Sequence, residues 1–220
     1  LLSNVIVAQK KTTIHILNAD KADYDERLGR DVQRLIGNVI MRQDSTYFYS
    51  DSAYFNEKTK FFDGFGNVHI IVNDSVNIYS KLLKYNGETK FAELFHDVIL
   101  KDDSTTLKTQ YMTYDRVGHL ATYPNNGTIT RNDKKLVSKK GYYRDDIKVL
   151  YFRKDVVGTM PDYKIVSDTL VYDTENEIDI MLMHDIVPVF ISCKNGTVDA
   201  DELYKLNTMA ERFGGKYAKK

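Results

Sequence analysis

The sequence predicts a mainly β chain, a stack of hairpin-like units recurring about every 29–30 residues and followed by a short α/β segment. Three observations predict it. One short pattern returns at a near-constant interval, helical periodicity is absent from residues 10 to 173, and aromatic residues are plentiful where Pro is scarce. Sixteen Tyr and ten Phe, with three Pro and no Trp, suit pleated, half-buried strands.

The 220 residues carry 31 Lys and Arg against 31 Asp and Glu, so the formal net charge is zero and no bulk field points to nucleic acid. The one cysteine, Cys193, excludes an internal disulfide framework. No run reaches the roughly 20 apolar residues of a membrane helix.

In chain order, the first element is "LLSNVIVAQKK", apolar to Gln9 and then basic. It fits the tail of a secretory signal with cleavage near Ala8 or Gln9; a plain first strand is the other reading. The repeat begins with a degenerate copy, "ADKADYD" (19–25), and continues as "SDSAYFN" (50–56), "SKLLKYN" (80–86), "TQYMTYD" (109–115), "SKKGYYR" (138–144) and "SDTLVYD" (167–173). Its aromatic anchors are Tyr24, Phe55, Tyr85, Tyr114, Tyr143 and Tyr172, spaced 31, 30, 29, 29 and 29 apart.

Other columns keep the same step. Seven residues before each anchor stand Leu17, Phe48, Ile78, Leu107, Leu136 and Ile165; two before stand Ala22, Ala53, Leu83, Met112, Gly141 and Leu170. Thirteen after stand Val68, Val98, Gly127 and Val156, with the earlier "GNVIM" (37–41) two residues late. The minus-two and anchor columns share parity, as one strand face requires. The minus-seven column breaks parity, which places a bulge or bend between them. Breaks such as "NEKTK", "NGETK" and "DRVGH" turn each strand into the next. The inward faces then form one apolar wall. Such a wall is either the core of a rigid scaffold or a groove for an apolar ligand, and repetition alone favours neither.

After Asp173 the rhythm stops. Two buried-strand patterns, "IDIMLM" and "VPVFISC", precede "VDADELYKLNTMAERFGG", where Asp199 or Asp201 caps a helix whose apolar residues include Leu203, Leu206 and Phe213. The expected organisation is a signal remnant (1–9), a β-repeat domain (10–173) and an α/β tail (174–220).

The stretches "IHILNADKADYDE", "GNVIMRQDSTYFYSDSAYFN", "FGNVHI", "LKYNGETKFAELFHDVILKDDSTTLKT" and "YMTYDR" resemble the OstA/LptA-like family of periplasmic lipopolysaccharide-transport proteins in its Bacteroidetes form. The resemblance covers about residues 10 to 173. It implies an open β-jellyroll of two facing twisted sheets, a non-enzymatic carrier without cofactor or metal. Lipopolysaccharide acyl chains would lie in its interior, and other such jellyrolls, or a second copy, would pair with its edge strands. Transferring acyl chains out of water is worth about 0.8 kcal/mol per CH₂, which a long apolar trough supplies. The candidate lining is Phe48, Ala53, Phe55, Ile78, Leu83, Tyr85, Leu107, Met112, Tyr114, Leu136, Ile165, Leu170 and Tyr172; ordinary core packing is the alternative for each. Lys and Arg at a groove mouth would meet lipid phosphates, but even charge spacing singles out none.

The tail, from "NEIDIMLMHDI" to the end, resembles the C-terminal part of a PD-(D/E)xK-type nuclease domain, in the form fused to CARF-like sensor domains of CRISPR-ancillary nucleases. That resemblance implies a Mg²⁺- or Mn²⁺-dependent nuclease of the cytoplasm as the rival function, with Asp179 as metal ligand, Glu177 nearby and Lys194 orienting a water. Ser192 departs from the acid-x-Lys pattern, and the upstream nuclease core has no counterpart. The two resemblances meet at "VYDTENEID", which suggests a chimeric chain.

Overall fold

The structure, a computed structural model, describes residues 13–24, 29, 31–103, 105–161 and 164–174, with the backbone of 180–184 and 187–191. The strands are β1 (His15–Asn18), β2 (Lys21–Tyr24), β3 (Val32–Gln43), β4 (Thr46–Asn56), β5 (Phe61–Val72), β6 (Val76–Asn86), β7 (Phe91–Asp102) and β8 (Thr105–Asp115). They continue as β9 (Leu120–Tyr123), β10 (Gly127–Arg131), β11 (Lys134–Ser138), β12 (Lys140–Arg144), β13 (Val149–Thr159), β14 (Lys164–Asp173), β15 (Ile180–His184) and β16 (Val187–Ile191). Every pairing is antiparallel, and all belong to one sheet. The mainly β jellyroll expected from the sequence is what forms.

Each long strand is interrupted at its middle. The register slips between Tyr49 and Ser52, Phe65 and Val68, Tyr79 and Leu82, Phe95 and Val98, and Arg153 and Val156. This is the bulge that the parity break required: on β4, β6 and β8 one extra residue, Asp51, Lys81 or Gln110, lies between the minus-seven and anchor columns and returns both to the inner face, opposite two extra residues on the neighbouring odd strand. On the odd strands the extra residues are consecutive left-handed pairs: Gly37–Asn38, Gly66–Asn67, His96–Asp97 and Lys154–Asp155. Asn, Asp and Gly tolerate that region best. Gly66 (φ 69°) also lies so close to the Asp51 carboxyl that a Cβ there would displace it.

The bulges line up across the sheet and fold it into two facing halves along a corner. One half carries the anchor columns; the other carries Phe48, Ile78, Leu107 and Leu136. That the halves face each other is shown by Phe48, whose ring meets Phe62 (5.1 Å, edge to face) and Tyr85 (4.7 Å) from the opposite half. In the middle of the chain the corner breaks outright. β8 pairs first with β9 and then with β10, and β13 with both β12 and β11. Pro124, between β9 and β10, has no N–H to offer the ladder.

The two columns' glycines have a single cause. The Tyr123 ring lies against both Gly127 and Gly141, and a Cβ at either would collide with it.

The first copy departs from the expected wall. Tyr24 is 64% exposed and Leu17 48% exposed, because β1 and β2 are short edge strands whose faces meet solvent. At the other end the backbone ladder runs on past Asp173, with β15 paired to β14 through Leu170–Leu182 and Val171–Met181, and β16 paired to β15. The two strand patterns of the tail thus form strands. The expected helix after Asp199 lies outside the described residues, as do residues 1–9.

Candidate functional site: the interior and its mouth

The thirteen lining candidates come together. Twelve of them, from Phe48 through Tyr172, are buried in one continuous apolar cluster, and Ile165, on the half of β14 that β15 does not pair, is half-buried against it. Val68, Val98 and Val156 join the same cluster, as do Phe62, Ile70, Leu94, Leu100 and Phe152. Inward residues alternate with outward ones along each strand half, so the wall spans both halves and every repeat after the first. Its side chains fill the space between the halves. Each large apolar side chain so buried contributes about 1.5–3 kcal/mol.

The two long sides of this sandwich are built differently. The corner side is covalent and laddered. There, Ser50, Ser80, Thr109, Ser138 and Ser167, each five before its anchor, donate to the carbonyl two residues on, at 2.7–3.3 Å. Outside them runs a polar row: Asp51 accepts from Asn67 at 3.0 Å, Lys81 pairs with Asp97 at 2.5 Å, and Lys139 pairs with Asp155. Asp97 and Asp155 are held below the usual carboxylate range by those lysine contacts. Cavities of about 540 and 220 Å³ open on this corner, the larger beside Asp97, Gln110 and Asn126.

The opposite side is the mouth, where the four-residue turns of the anchor half meet the tight turns of the other. Among the described residues, every hydrogen bond that joins the halves here involves a side chain. The Tyr85 hydroxyl donates to Gln43 Oε1 (2.5 Å), Gln43 Nε2 donates to the Gly87 carbonyl (2.7 Å), and Arg116 Nη1 donates to the Tyr85 hydroxyl (2.5 Å) and Gln43 Oε1 (3.1 Å). Further along, Asp102 Oδ2 accepts from the Tyr143 hydroxyl and from Lys148 Nζ, both at 2.5 Å. The Tyr114 hydroxyl donates to Asp145, whose other oxygen lies 2.9 Å from His119 Nδ1. Burial pushes the Tyr85 hydroxyl up to about 12, with Arg116 opposing, and pushes Tyr114 and Tyr143 well above the usual phenol range, reinforced by Asp145 and Asp102.

The turns at the mouth explain the residue after the anchor. Asn56, Asn86 and Asp115 each accept two backbone N–H groups of the following turn at 2.9–3.1 Å. Each turn ends on a left-handed residue, Lys60, Lys90, His119 or Lys148 (φ 51–59°). The carbonyls of these four accept from Gly87, Arg116, Asp145 and Thr174, so each turn is hydrogen-bonded to the next.

The Ser/Thr column and the basic column, five residues either side of the anchor, went unused in the sequence reading. The first was visible as the opening letter of five aligned copies. The second carries three Lys and one His at the repeat interval, and only the mouth geometry gives it meaning. Asp179, Glu177 and Lys194, the residues of the rival nuclease reading, lie outside the described residues.

The family model described as OstA-like protein matches residues 11–168. Among solved structures the chain is similar to LptH of Pseudomonas aeruginosa, described as the LptA homologous periplasmic component of the conserved lipopolysaccharide transport device. The likeness has 17% identity and a TM-score of 0.40, and covers 46% of this chain and 75% of that one. No curated protein matches.

Proposed function

Because the chain belongs to the OstA-like protein family, we propose that it is a non-enzymatic carrier whose apolar interior takes the acyl chains of lipopolysaccharide, working in the periplasm in transport to the outer membrane. The observation that supports this reading most is the asymmetry of the sandwich. One continuous apolar interior has a corner held by backbone ladders and a mouth held, among the described residues, by side-chain hydrogen bonds. Parting the mouth exposes Phe48, Phe62, Ile78 and Leu107 while leaving the sheet intact. Acyl chains entering there replace side-chain contacts with chain contacts and leave every strand ladder paired, the Gly87 carbonyl exchanging Gln43 for water. Partners of the same β architecture, or a second copy, would add to the edge strands.

The residues expected to line the groove are also the core, and that sets the test. Leu83 and Leu107 are 1% exposed, so a charge there would unfold the chain before it reported on a ligand. A photo-reactive benzoylphenylalanine placed at Phe48 or Phe62 keeps an aromatic ring in the wall. Irradiation with lipopolysaccharide should give a crosslinked adduct from these sites and none from Tyr142, which faces outward and stacks on Tyr151 at 4.4 Å. Equal labelling of Tyr142, or none anywhere, would remove the carrier reading.

A further inference from the structure

We propose that the basic column at the mouth, Lys60, Lys90, His119 and Lys148, together with Arg116, is an anion-recognition row that binds the phosphates of an amphiphile seated in the interior. This rests on the carrier reading and adds to it the headgroup chemistry and the residues that meet it. Four geometric facts carry the inference.

First, the row is periodic in space. One basic residue ends each turn, the turns follow one another at intervals of two strands, and strands lie about 4.8 Å apart, so the cations recur roughly every 9–10 Å along the mouth. Second, the row lies where an amphiphile's polar end must be. Tyr85 packs its ring on Phe48 and Phe62 (4.7 and 5.1 Å) and turns its hydroxyl to Arg116, so apolar wall passes directly into cation.

Third, Arg116 is only partly compensated. Its side chain is 8% exposed, its nearest partners are the neutral Tyr85 hydroxyl and Gln43 amide, the Asp44 carboxylate stands 4.0 Å off, and its Nε is buried with no partner. A buried guanidinium with a spare N–H is suited to a bidentate oxyanion. Fourth, at the Lys60–Lys90 end the one acid meeting the row, among the described residues, is an exposed stand-in, whereas Asp102 and Asp145, on Lys148 and His119, are buried. Asp44, 43% exposed, pairs with Lys90 at 2.8 Å; Lys60 has no carboxylate partner among the described residues. A phosphate takes the place of Asp44 on Lys90 and Arg116 without disturbing the wall.

The assay measures binding of a diphosphorylated, multiply acylated glucosamine disaccharide and of the same lipid with both phosphates removed. The full chain should bind the phosphorylated form at least tenfold more tightly. Lys60→Gln/Lys90→Gln, both at surface turns, should erase most of that preference while leaving the affinity for the dephosphorylated lipid unchanged; Arg116→Gln, which also loosens the mouth, should lower the ratio of the two affinities while tightening both lipids through the opened mouth. Asp44→Asn, which removes the competing carboxylate, should strengthen binding of the phosphorylated form alone. Competition by inorganic phosphate supports the same site being filled from free phosphate rather than only from a headgroup. If both lipids bind the wild type equally, or if Asp44→Asn weakens binding as the cation variants do, the row is a structural clasp and the inference falls while the carrier reading stands. If neither lipid binds, both fall.

Discussion

Replacing Tyr143 with Phe tests whether the mouth is held by its side-chain hydrogen bonds. The Tyr143 hydroxyl donates to Oδ2 of Asp102 at 2.5 Å; Asp102 is 2% exposed, and its Oδ1 has no partner. The ring of Tyr143 is itself 2% exposed, so Tyr143→Phe leaves apolar burial unchanged and removes only the hydroxyl. A hydrogen bond to a charged group is worth about 1.5–3 kcal/mol, and here the carboxylate keeps only Lys148. For a chain of this length each kcal/mol moves Tm by about 2–4 °C, so a fall of roughly 3–12 °C is expected. The control is Tyr142→Phe, whose ring stacks on the outer face at 4.4 Å from Tyr151 and should stay within about 0.5 kcal/mol of wild type. Far-UV circular dichroism followed through a thermal scan gives the Tm shift, and through urea unfolding the difference in free energy. The same bond is lost when the mouth parts, so Tyr143→Phe should also tighten lipid binding, by at most the roughly tenfold to hundredfold equivalent of that energy. If Tyr143→Phe unfolds like Tyr142→Phe and binds lipid no better, the mouth is not held as described.

Three further outcomes follow from the same geometry. Burial raises the hydroxyls of Tyr85 and Tyr123 from 10 to about 12. Their stabilisation is therefore full below pH 10 and lost as pH climbs from 10 to 12, and urea midpoints across pH 8–12 should fall in that window; flat midpoints there would contradict the buried placement. Gly141→Ala sets a Cβ against the Tyr123 hydroxyl and 2.6 Å from the Tyr151 carbonyl, so it should cost about 1–3 kcal/mol, whereas Gly118→Ala, facing the movable Asp115 carboxyl, should cost clearly less; equal melting temperatures would refute the packing. Ser80→Ala removes the corner bond to the Leu82 carbonyl at 3.1 Å and should cost about 1 kcal/mol in chemical denaturation, with Ser138→Ala costing more because Ser138 also meets the Tyr123 hydroxyl at 2.8 Å. Neutral results at both would show the column to be incidental.

Much of the architecture was legible because one strand pair is repeated, and repetition makes weak signals add. The anchor and minus-seven columns locate the inner face, and their parity mismatch locates the bulge. The first copy was misleading in one respect: it carries the pattern at Tyr24 and Leu17 but, among the described residues, no facing half buries them. Periodicity reports which residues share a face, and says nothing of whether a face is covered. The Ser/Thr column was in plain view, yet a hydroxyl five residues before an aromatic has no evident role until the strand is seen to bend there.

By itself the sequence determined the repeat length, the inward residues, the bulge and the turns, because these follow from side-chain alternation and local backbone preference. Only the tertiary structure decided what the repeat encloses. Gln43 with Tyr85, and Asp102 with Tyr143, are 42 and 41 residues apart and belong to different repeats. They meet because the corner folds one half of the sheet onto the other with an offset no single repeat encodes. That fold sets the repeat's basic column along one edge of an apolar interior.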